Sequence, residues 1–187
     1  MLIERTTTGD LIFGRVICWK PGAVDEDLTI LTLEDEARKI KVLCWNRGYA
    51  KLSDRARNLS QGEYVCVRGE FDLGDQNKCV AFDVKKSGIY NVTTLDGRHL
   101  NIAYGKIRKI KKYGKGYKIY FPYYIYEKKV TKNWYVIKFL GWQTCSYIKN
   151  KLNKDSYCIM YLGPTSNIKV DGVRISNSIG NQMLVVA

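Results

Sequence analysis

The stretch Ile40–Gly69 reads IKVLCWNRGYAKLSDRARNLSQGEYVCVRG, and its pattern changes twice. It opens on β-branched, aromatic and apolar residues, which are typical of a strand. From Tyr49 to Leu59 the apolar residues recur at helical spacing, and Gly62 follows as a stop signal. A second apolar run, Tyr64–Phe71, has strand character again. The stretch is therefore predicted to fold as a strand, a short helix and a strand.

Similar strand-like runs lie on both sides of this stretch. Each is rich in β-branched and aromatic residues and is bounded by turn residues. The predicted strands of the first half are Phe13–Lys20, Leu28–Glu34, Lys39–Trp45, Tyr64–Phe71 and Lys78–Lys85. The predicted order in this half is therefore three strands, a helix and two strands.

The second half of the chain shows the same order. Its predicted strands are Gly105–Lys111, Tyr117–Tyr126, Trp134–Trp142 and Ser156–Leu162, with a helix over Ser146–Leu152. The last strand is either Val173–Ser176 or Gln182–Val186, and the pattern does not choose between them. The order of elements suggests that one module occurs twice.

Three landmarks align the two halves at offsets between 91 and 97 residues. Near-constant offsets predict duplication of a module of about 90 residues. The aligned pairs are Lys41–Asn46 with Lys138–Gln143, Gly14–Val16 with Gly105–Ile107, and Tyr64–Gly69 with Tyr157–Gly163.

Five strands with a helix between the third and fourth resemble the order of the OB-fold. The stretch Ile40–Gly69 is similar to the core of bacterial-type single-stranded DNA-binding proteins, in which an apolar third strand ends in an aromatic residue. The resemblance implies an all-β chain of two tandem five-stranded OB-fold barrels, each with a short helix between strands 3 and 4, over residues 1–92 and 93–187. In that family the aromatic closing the third strand stacks on a base, which places Trp45 and Trp142 on the binding face.

Charge is distributed very unevenly along the 187 residues, whose net charge is +13. Residues 1–92 hold 14 basic and 14 acidic side chains, whereas residues 93–187 hold 17 basic and 4 acidic ones. The second half also has 11 of the 14 tyrosines. A Lys- and Tyr-rich surface is typical of proteins that hold phosphates and stack bases, so nucleic acid is the first expected partner.

Side-chain alternation assigns these residues to faces. One face of the third strand carries Lys39, Lys41, Leu43 and Trp45, and the other, apolar face carries Ile40, Val42 and Cys44. In the second half the outer face is predicted to carry Trp134, Val136, Lys138, Leu140 and Trp142, and the core face Tyr135, Ile137, Phe139 and Gly141.

The densest basic stretch runs from Lys106 to Tyr117 and is predicted to be a strand that feeds a Gly-containing loop between the first two strands. That loop commonly clamps nucleic acid in OB-folds. The residues predicted to bind nucleic acid are Trp45, Lys39, Lys41, Lys106, Arg108, Lys109, Lys111, Lys112, Lys115, Tyr117, Tyr120, Trp134, Lys138 and Trp142.

Catalytic and metal chemistry have little support in the sequence. The six cysteines include no C-x-x-C pair and His99 is the only histidine, so no metal or other cofactor is expected. Cys44, Cys66 and Cys158 lie in apolar runs and are interpreted as core residues. The carboxylates of the second half are scattered, which argues against a nuclease and favours a non-enzymatic protein.

The predicted function is largely sequence-independent binding of single-stranded DNA in replication, recombination or DNA transfer. Single-stranded RNA remains an alternative, since stacking and phosphate contacts serve both nucleic acids. The acidic groups Asp25–Asp27 and Glu34–Glu36 suggest that the first domain contacts a protein or another copy of the chain, and a protein-interaction or assembly module is the second alternative. No apolar run is long enough for a membrane span, and no basic region followed by an apolar core opens the chain, so a cytoplasmic location without a membrane partner is expected.

Overall fold

The computed structural model describes residues 2–34, 37–125, 128–139, 153–162 and 178–185. The chain divides into two compact units, residues 1–86 with 94–96 and residues 87–93 with 97–187. The elements of the first unit are β1 (Leu2–Glu4), β2 (Asp10–Pro21), β3 (Leu28–Glu34), β4 (Lys39–Arg47), β5 (Ala50–Lys51), α1 (Leu52–Arg57), β6 (Tyr64–Phe71) and β7 (Lys78–Lys85).

Five strands of the first unit form a closed barrel. The hydrogen-bonded order is β2-β3-β4-β7-β6, and β6 pairs again with β2. Strands β4 and β7 run parallel, while the other neighbours in the ring run antiparallel. This order, with α1 between the third and fourth barrel strands, is that of the OB-fold. The predicted fold of the first half is therefore confirmed.

Every second side chain of the barrel strands points inward, and these side chains fill the core. Ile40, Val42 and Cys44 of β4 are fully buried, as predicted, while the residues between them face outward. Helix α1 buries Leu52, Ser53 and Ala56. The helix is shorter than the predicted Tyr49–Leu59 because residues 50 and 51 pair with the end of β4 as β5.

One glycine marks a close approach of two barrel strands. A Cβ atom at Gly69 in β6 would lie 2.4 Å from the carbonyl oxygen of Val80 and 2.6 Å from Sγ of Cys79. Both atoms belong to β7, the neighbouring strand. A side chain at residue 69 would therefore force β6 and β7 apart.

The second unit contains seven strands among its described residues. They are β8 (Gly88–Thr93), β9 (His99–Lys106), β10 (Lys109–Tyr113), β11 (Gly116–Ile125), β12 (Lys128–Phe139), β13 (Tyr157–Leu162) and β14 (Ser178–Val185). They pair in the order β10-β11-β12-β14-β13-β9-β8. Strands β12 and β14 are parallel, and the other pairs are antiparallel.

Several predicted bounds change in this unit. The single predicted strand Gly105–Lys111 is interrupted at residues 107 and 108, so that β9 pairs with β13 while β10 pairs with β11. The predicted boundary after residue 92 falls inside β8. Strand β14 overlaps the second alternative for the last strand, Gln182–Val186. The predicted helix Ser146–Leu152 and the alternative strand Val173–Ser176 lie outside the described residues.

Two backbone hydrogen bonds hold the turn directly before β6, the fourth barrel strand of the first unit. The Val16 amide donates to the Glu63 carbonyl at 2.7 Å, and the Gly62 amide donates to the Val16 carbonyl at 2.8 Å. Gly62 has a φ of +86°. The turn that precedes β6 is thereby fixed to the middle of β2.

The same pattern recurs in the second unit. The Ile107 amide donates to the Ser156 carbonyl at 2.8 Å, and the Asp155 amide donates to the Ile107 carbonyl at 2.7 Å. Asp155 has a φ of 76°, so it occupies the left-handed position that Gly62 holds in the first unit. The predicted alignment of Val16 with Ile107 therefore corresponds to matching backbone geometry.

Burial controls the reactivity of the cysteines. Cys44, Cys66 and Cys158 are buried, as predicted, and so is Cys79. Burial raises the pKa of the Cys44, Cys79 and Cys158 thiols to about 12, so they stay protonated at neutral pH. Cys18 is exposed.

This difference predicts selective alkylation. Iodoacetamide at pH 8 is expected to modify Cys18 in the native protein, because thiolate formation and access are both needed for reaction. The buried thiols should react only after denaturation. Peptide mass spectrometry after timed quenching measures each site. Rapid native modification of Cys44 or Cys158 would show that the described cores are wrong.

Candidate nucleic-acid interface

The outer surface of β3 and β4 forms a mixed apolar and charged face, here called the first-barrel face. Its members are paired across the two strands in register. They are Leu28 with Trp45, Ile30 with Leu43, Thr32 with Lys41, and Glu34 with Lys39. The prediction that Lys39, Lys41, Leu43 and Trp45 share one face is thus confirmed by the structure.

Trp45 closes one end of the first-barrel face. Its ring is half-buried, and the guanidinium carbon of Arg47 lies 4.8 Å from the ring centre. A guanidinium over an indole is attracted by the negative face of the ring. The pair places an aromatic surface and a positive charge at the same point of the face.

The charges of the first unit are largely compensated by carboxylates. Glu34 pairs with Arg15 at 2.8 Å and with Lys39 at 3.6 Å. Lys78 pairs with Asp72 at 3.7 Å. These cations are partly neutralised before any ligand arrives.

Acidic loops lie near both ends of the first-barrel face. The loop 22–27 contains Asp25, Glu26 and Asp27, and the Asn46 amide donates to the Asp27 carbonyl at 2.9 Å. At the other end the Lys41 amide donates to the Asn77 carbonyl at 2.7 Å, which fixes the loop 72–77 beside β4. This face is therefore a poorer phosphate binder than its lysines alone indicate.

In the second unit, β10 and β11 form a hairpin through a two-residue turn. The turn is Gly114–Lys115, and Gly114 has a φ of +57°. Ile119 is fully buried and Ile110 packs against the same core. The residues that alternate with these isoleucines therefore point outward. They form what is here called the hairpin face, namely Lys109, Lys111, Tyr113, Lys118 and Tyr120.

Lysines and tyrosines contact one another on the hairpin face. Lys118 Nζ lies 3.9 Å from the ring centre of Tyr113, and Lys109 Nζ lies 5.8 Å from that of Tyr120. Tyr113 is 45% exposed. Each cation–π contact brings an ammonium group close to an aromatic surface.

The hairpin lysines lack carboxylate partners within the part of the chain that the structure describes. No ion pair connects Lys109, Lys111, Lys112, Lys115 or Lys118 to a described Asp or Glu. Lys106 and Arg108, which precede the hairpin, both pair with Asp155. Among the described residues, the hairpin thus concentrates positive charge without carboxylate partners, whereas Lys39 on the first-barrel face pairs with Glu34.

The structure separates two predicted site residues from the rest. Tyr117 was grouped with the interface, but it packs against the core beside Ile119. Lys112 is paired with Tyr117 and so leaves β10 on the side away from Lys111, although it is exposed. Both placements follow from the burial of Ile119, which fixes the alternation of β11. Lys115 lies in the turn and is exposed.

Three predicted residues belong to the third strand of the second unit. Trp134 and Lys138 lie in β12, in register with Pro122 and Lys118. Their side chains, and Trp142 as a whole, lie outside the described part of the structure. Ile137, predicted to face the core, is fully buried.

Tyr113 and Lys118 were not among the predicted site residues, and the structure places both on the hairpin face. Lys118 has the same parity as Tyr120, so alternation along this strand predicts that the two side chains share a face. Tyr113 lies next to the glycine turn, and only the register with Gly116 shows that it faces outward.

The described residues contain no group of three or more His, Cys, Asp or Glu side chains placed to hold a metal ion. Nor do they contain a helix with the length and apolar character that crossing a membrane requires.

Comparison with known proteins identifies no family. No family model matches the sequence, and no curated protein matches it. A solved murine DNA-binding protein bound to double-stranded DNA is 10% identical, with 91% of this chain and 93% of that chain covered and a TM-score of 0.29. The p204 HINb domain is 11% identical, with 96% and 98% covered and a TM-score of 0.32. Similarity at this level supports no inference, so function is argued from the chain's own residues.

Proposed function

We propose that the protein is a non-enzymatic, largely sequence-independent single-stranded DNA-binding protein that acts in replication, recombination or DNA transfer. The observation that carries the proposal is the hairpin face, where Lys109, Lys111 and Lys118, which have no carboxylate partner among the described residues, lie on the same side as Tyr113 and Tyr120. A polyanion supplies the missing negative charge, and the aromatic rings supply stacking surfaces.

Phosphate binding reduces the electrostatic repulsion between the lysines of the hairpin. Like charges that lie close together repel, and nearby carboxylates relieve this repulsion in the first unit. Each phosphate neutralised on a single strand releases about 0.7 counterion, so affinity falls with salt. Lys109, Lys111 and Lys118 are the residues proposed to contact successive phosphates.

The spacing of the two tyrosines favours a single strand over a duplex. Tyr120 is opposite Lys109, four residues along β10 from Tyr113, which is about 13 Å at about 3.3 Å per residue. Bases in a duplex are about 3.4 Å apart along the axis and cover each other's faces. Rings separated by four residues can each stack only on a base that is no longer covered by its neighbours. Each such base–aromatic contact stabilises the complex by about 1–3 kcal/mol.

We infer that the second unit is a second OB-type barrel. Its parallel pair β12–β14 corresponds to β4–β7, and the interrupted pair β9 and β10 corresponds to the two halves of β2. The recurring hydrogen bonds of Val16 and Ile107 support this equivalence. In this arrangement Lys138 of the third barrel strand is in register with Lys118 of the hairpin.

The first unit is a weaker candidate for nucleic-acid binding than the second unit. Trp45 with Arg47, and Lys41 farther along the same face, form a candidate contact for a single strand. The acidic loops instead favour a protein partner or another copy of the chain. Val24 and Leu73, at the two loops, are fully exposed apolar residues that fit such a contact.

The direct test is a titration of the full chain with fluorescently labelled oligo-dT at two salt concentrations. Anisotropy reports binding, and tryptophan fluorescence reports stacking on Trp residues. We expect tight binding to oligo-dT that weakens steeply with salt, and much weaker binding to a duplex of equal length. Equal affinity for oligo-U would overturn the assignment to DNA in favour of single strands generally. Preference for the duplex, or no binding, would overturn the proposal.

A further inference from the structure

Asp155 has an unusual backbone conformation next to the proposed interface. Its φ of 76° lies in the left-handed region, which residues other than glycine seldom adopt. Gly62 occupies the corresponding turn of the first unit with a φ of +86°. The second unit therefore keeps the turn but places a carboxylate where the first unit has no side chain.

The carboxylate of Asp155 is shared by two cations. Its Oδ1 lies 3.8 Å from Lys106 Nζ and accepts a hydrogen bond from the Arg108 guanidinium. Ile107, between the two basic residues, is fully buried, whereas the Lys106 and Arg108 side chains are partly exposed. Arg108 also donates its amide to the Tyr120 carbonyl at 3.0 Å. The two cations thus lie immediately before the hairpin in the chain.

We propose that Asp155 limits the affinity of the interface by competing with phosphate for Lys106 and Arg108. The inference rests on the proposed function. All three side chains are accessible, with exposed fractions of 48% for Asp155, 35% for Arg108 and 38% for Lys106. Exposed ion pairs are weak and screened by salt, so a phosphate can displace the carboxylate. A strand must nevertheless approach a negative charge to do so.

This competition distinguishes Asp155 from a residue that merely shapes the turn. Loss of its charge makes two cations available to phosphates, which adds two contacts to the salt dependence. At about 0.7 counterion per phosphate, the slope of log K against log salt becomes steeper by about 1.4. A change in turn stability alone leaves that slope unaltered.

The test compares Asp155→Asn and Asp155→Gly with the wild-type chain in oligo-dT titrations at several salt concentrations. Asparagine tolerates the left-handed conformation and lacks the charge, while glycine restores the residue of the first unit. Both variants are expected to bind about 25-fold more tightly at 0.1 M salt, because a slope change of about 1.4 over the decade up to 1 M, where the affinities converge, amounts to that factor. The double variant Asp155→Asn with Arg108→Gln should lose about half of the added slope.

Three outcomes decide the matter. Tighter binding with a steeper slope in both variants supports competition. Weaker binding would show that Asp155 orients Arg108 towards the strand, which overturns the proposal. Unchanged affinity and slope, with a changed melting temperature, would assign a structural role and also overturn it. If the wild-type chain itself fails to bind oligo-dT, the proposed function fails as well, so the two failures are distinguishable.

Discussion

Replacing Lys109, Lys111 and Lys118 together with glutamine is expected to weaken oligo-dT binding about a hundredfold at 0.1 M salt. Each lost phosphate contact removes about 0.7 from the slope of log K against log salt, so three contacts remove about 2. Over the decade from 0.1 to 1 M salt this slope amounts to about two powers of ten. At 1 M salt the variant and wild-type affinities should therefore converge.

The first unit supplies a control with the same change of net charge. Lys78, Lys85 and Lys86 pair with Asp72, Asp83 and Glu63 at 3.7, 3.1 and 3.0 Å. Their replacement with glutamine should change affinity far less, because their charges are already compensated. Anisotropy titrations at four or more salt concentrations measure both slopes. Equal losses in the two triple variants would mean that overall charge, rather than the hairpin face, drives binding.

Replacing Gly69 with alanine is expected to destabilise the first barrel by about 3 kcal/mol, at the upper end of the range for overpacking. The new methyl group would lie 2.4 Å from the Val80 carbonyl oxygen, which is backbone and cannot rotate away. Strands β6 and β7 would have to separate at the seam that completes the ring. A loss of this size lowers the melting temperature by more than about 10 °C in a unit of this length.

Gly74→Ala is the matched control. The nearest atom to a Cβ at Gly74 is Oδ1 of Asp72 at 3.5 Å, an ordinary contact distance. Its effect should stay within about 0.5 kcal/mol, as for most exposed positions. Thermal unfolding followed by circular dichroism compares the two variants. A Gly69→Ala protein that melts with the wild type would contradict the described pairing of β6 and β7.

Regular alternation explains which strands could be predicted. β3, β6 and β7 begin and end at the predicted residues because each is a continuous apolar or alternating run bounded by turn residues. β8 was missed because the composition changes there, which made the segment resemble a domain boundary. The first half of β12, from Lys128 to Asn133, is polar, and its strand structure depends on pairing with β11. Tertiary pairing overrides local pattern in such segments.

The candidate site was predictable only where the strand is regular. The face containing Lys41 and Trp45 followed directly from parity, since β4 pairs with β3 without a shift. Beyond Lys106 the strand is interrupted at residues 107 and 108. The consecutive residues Arg108 and Lys109 are both accessible to solvent, so the regular alternation of buried and exposed residues is lost there. Parity counted through such an interruption assigns faces wrongly. Alternation alone places Tyr117 and Tyr120 on opposite faces of β11, and the burial of Ile119 shows that Tyr117 is on the core side.

The parallel pair β4–β7 also determines when the first barrel can form during synthesis. Lys41 is in register with Lys78, and the intervening chain includes α1 and the whole of β6. Strands β2, β3 and β4 can form a meander early, but β4 keeps an open edge until β7 has emerged from the ribosome. Such edges pair readily with other chains. A nascent or truncated chain that ends before residue 78 is therefore expected to aggregate, whereas one that extends past Lys85 has every strand needed to close the ring.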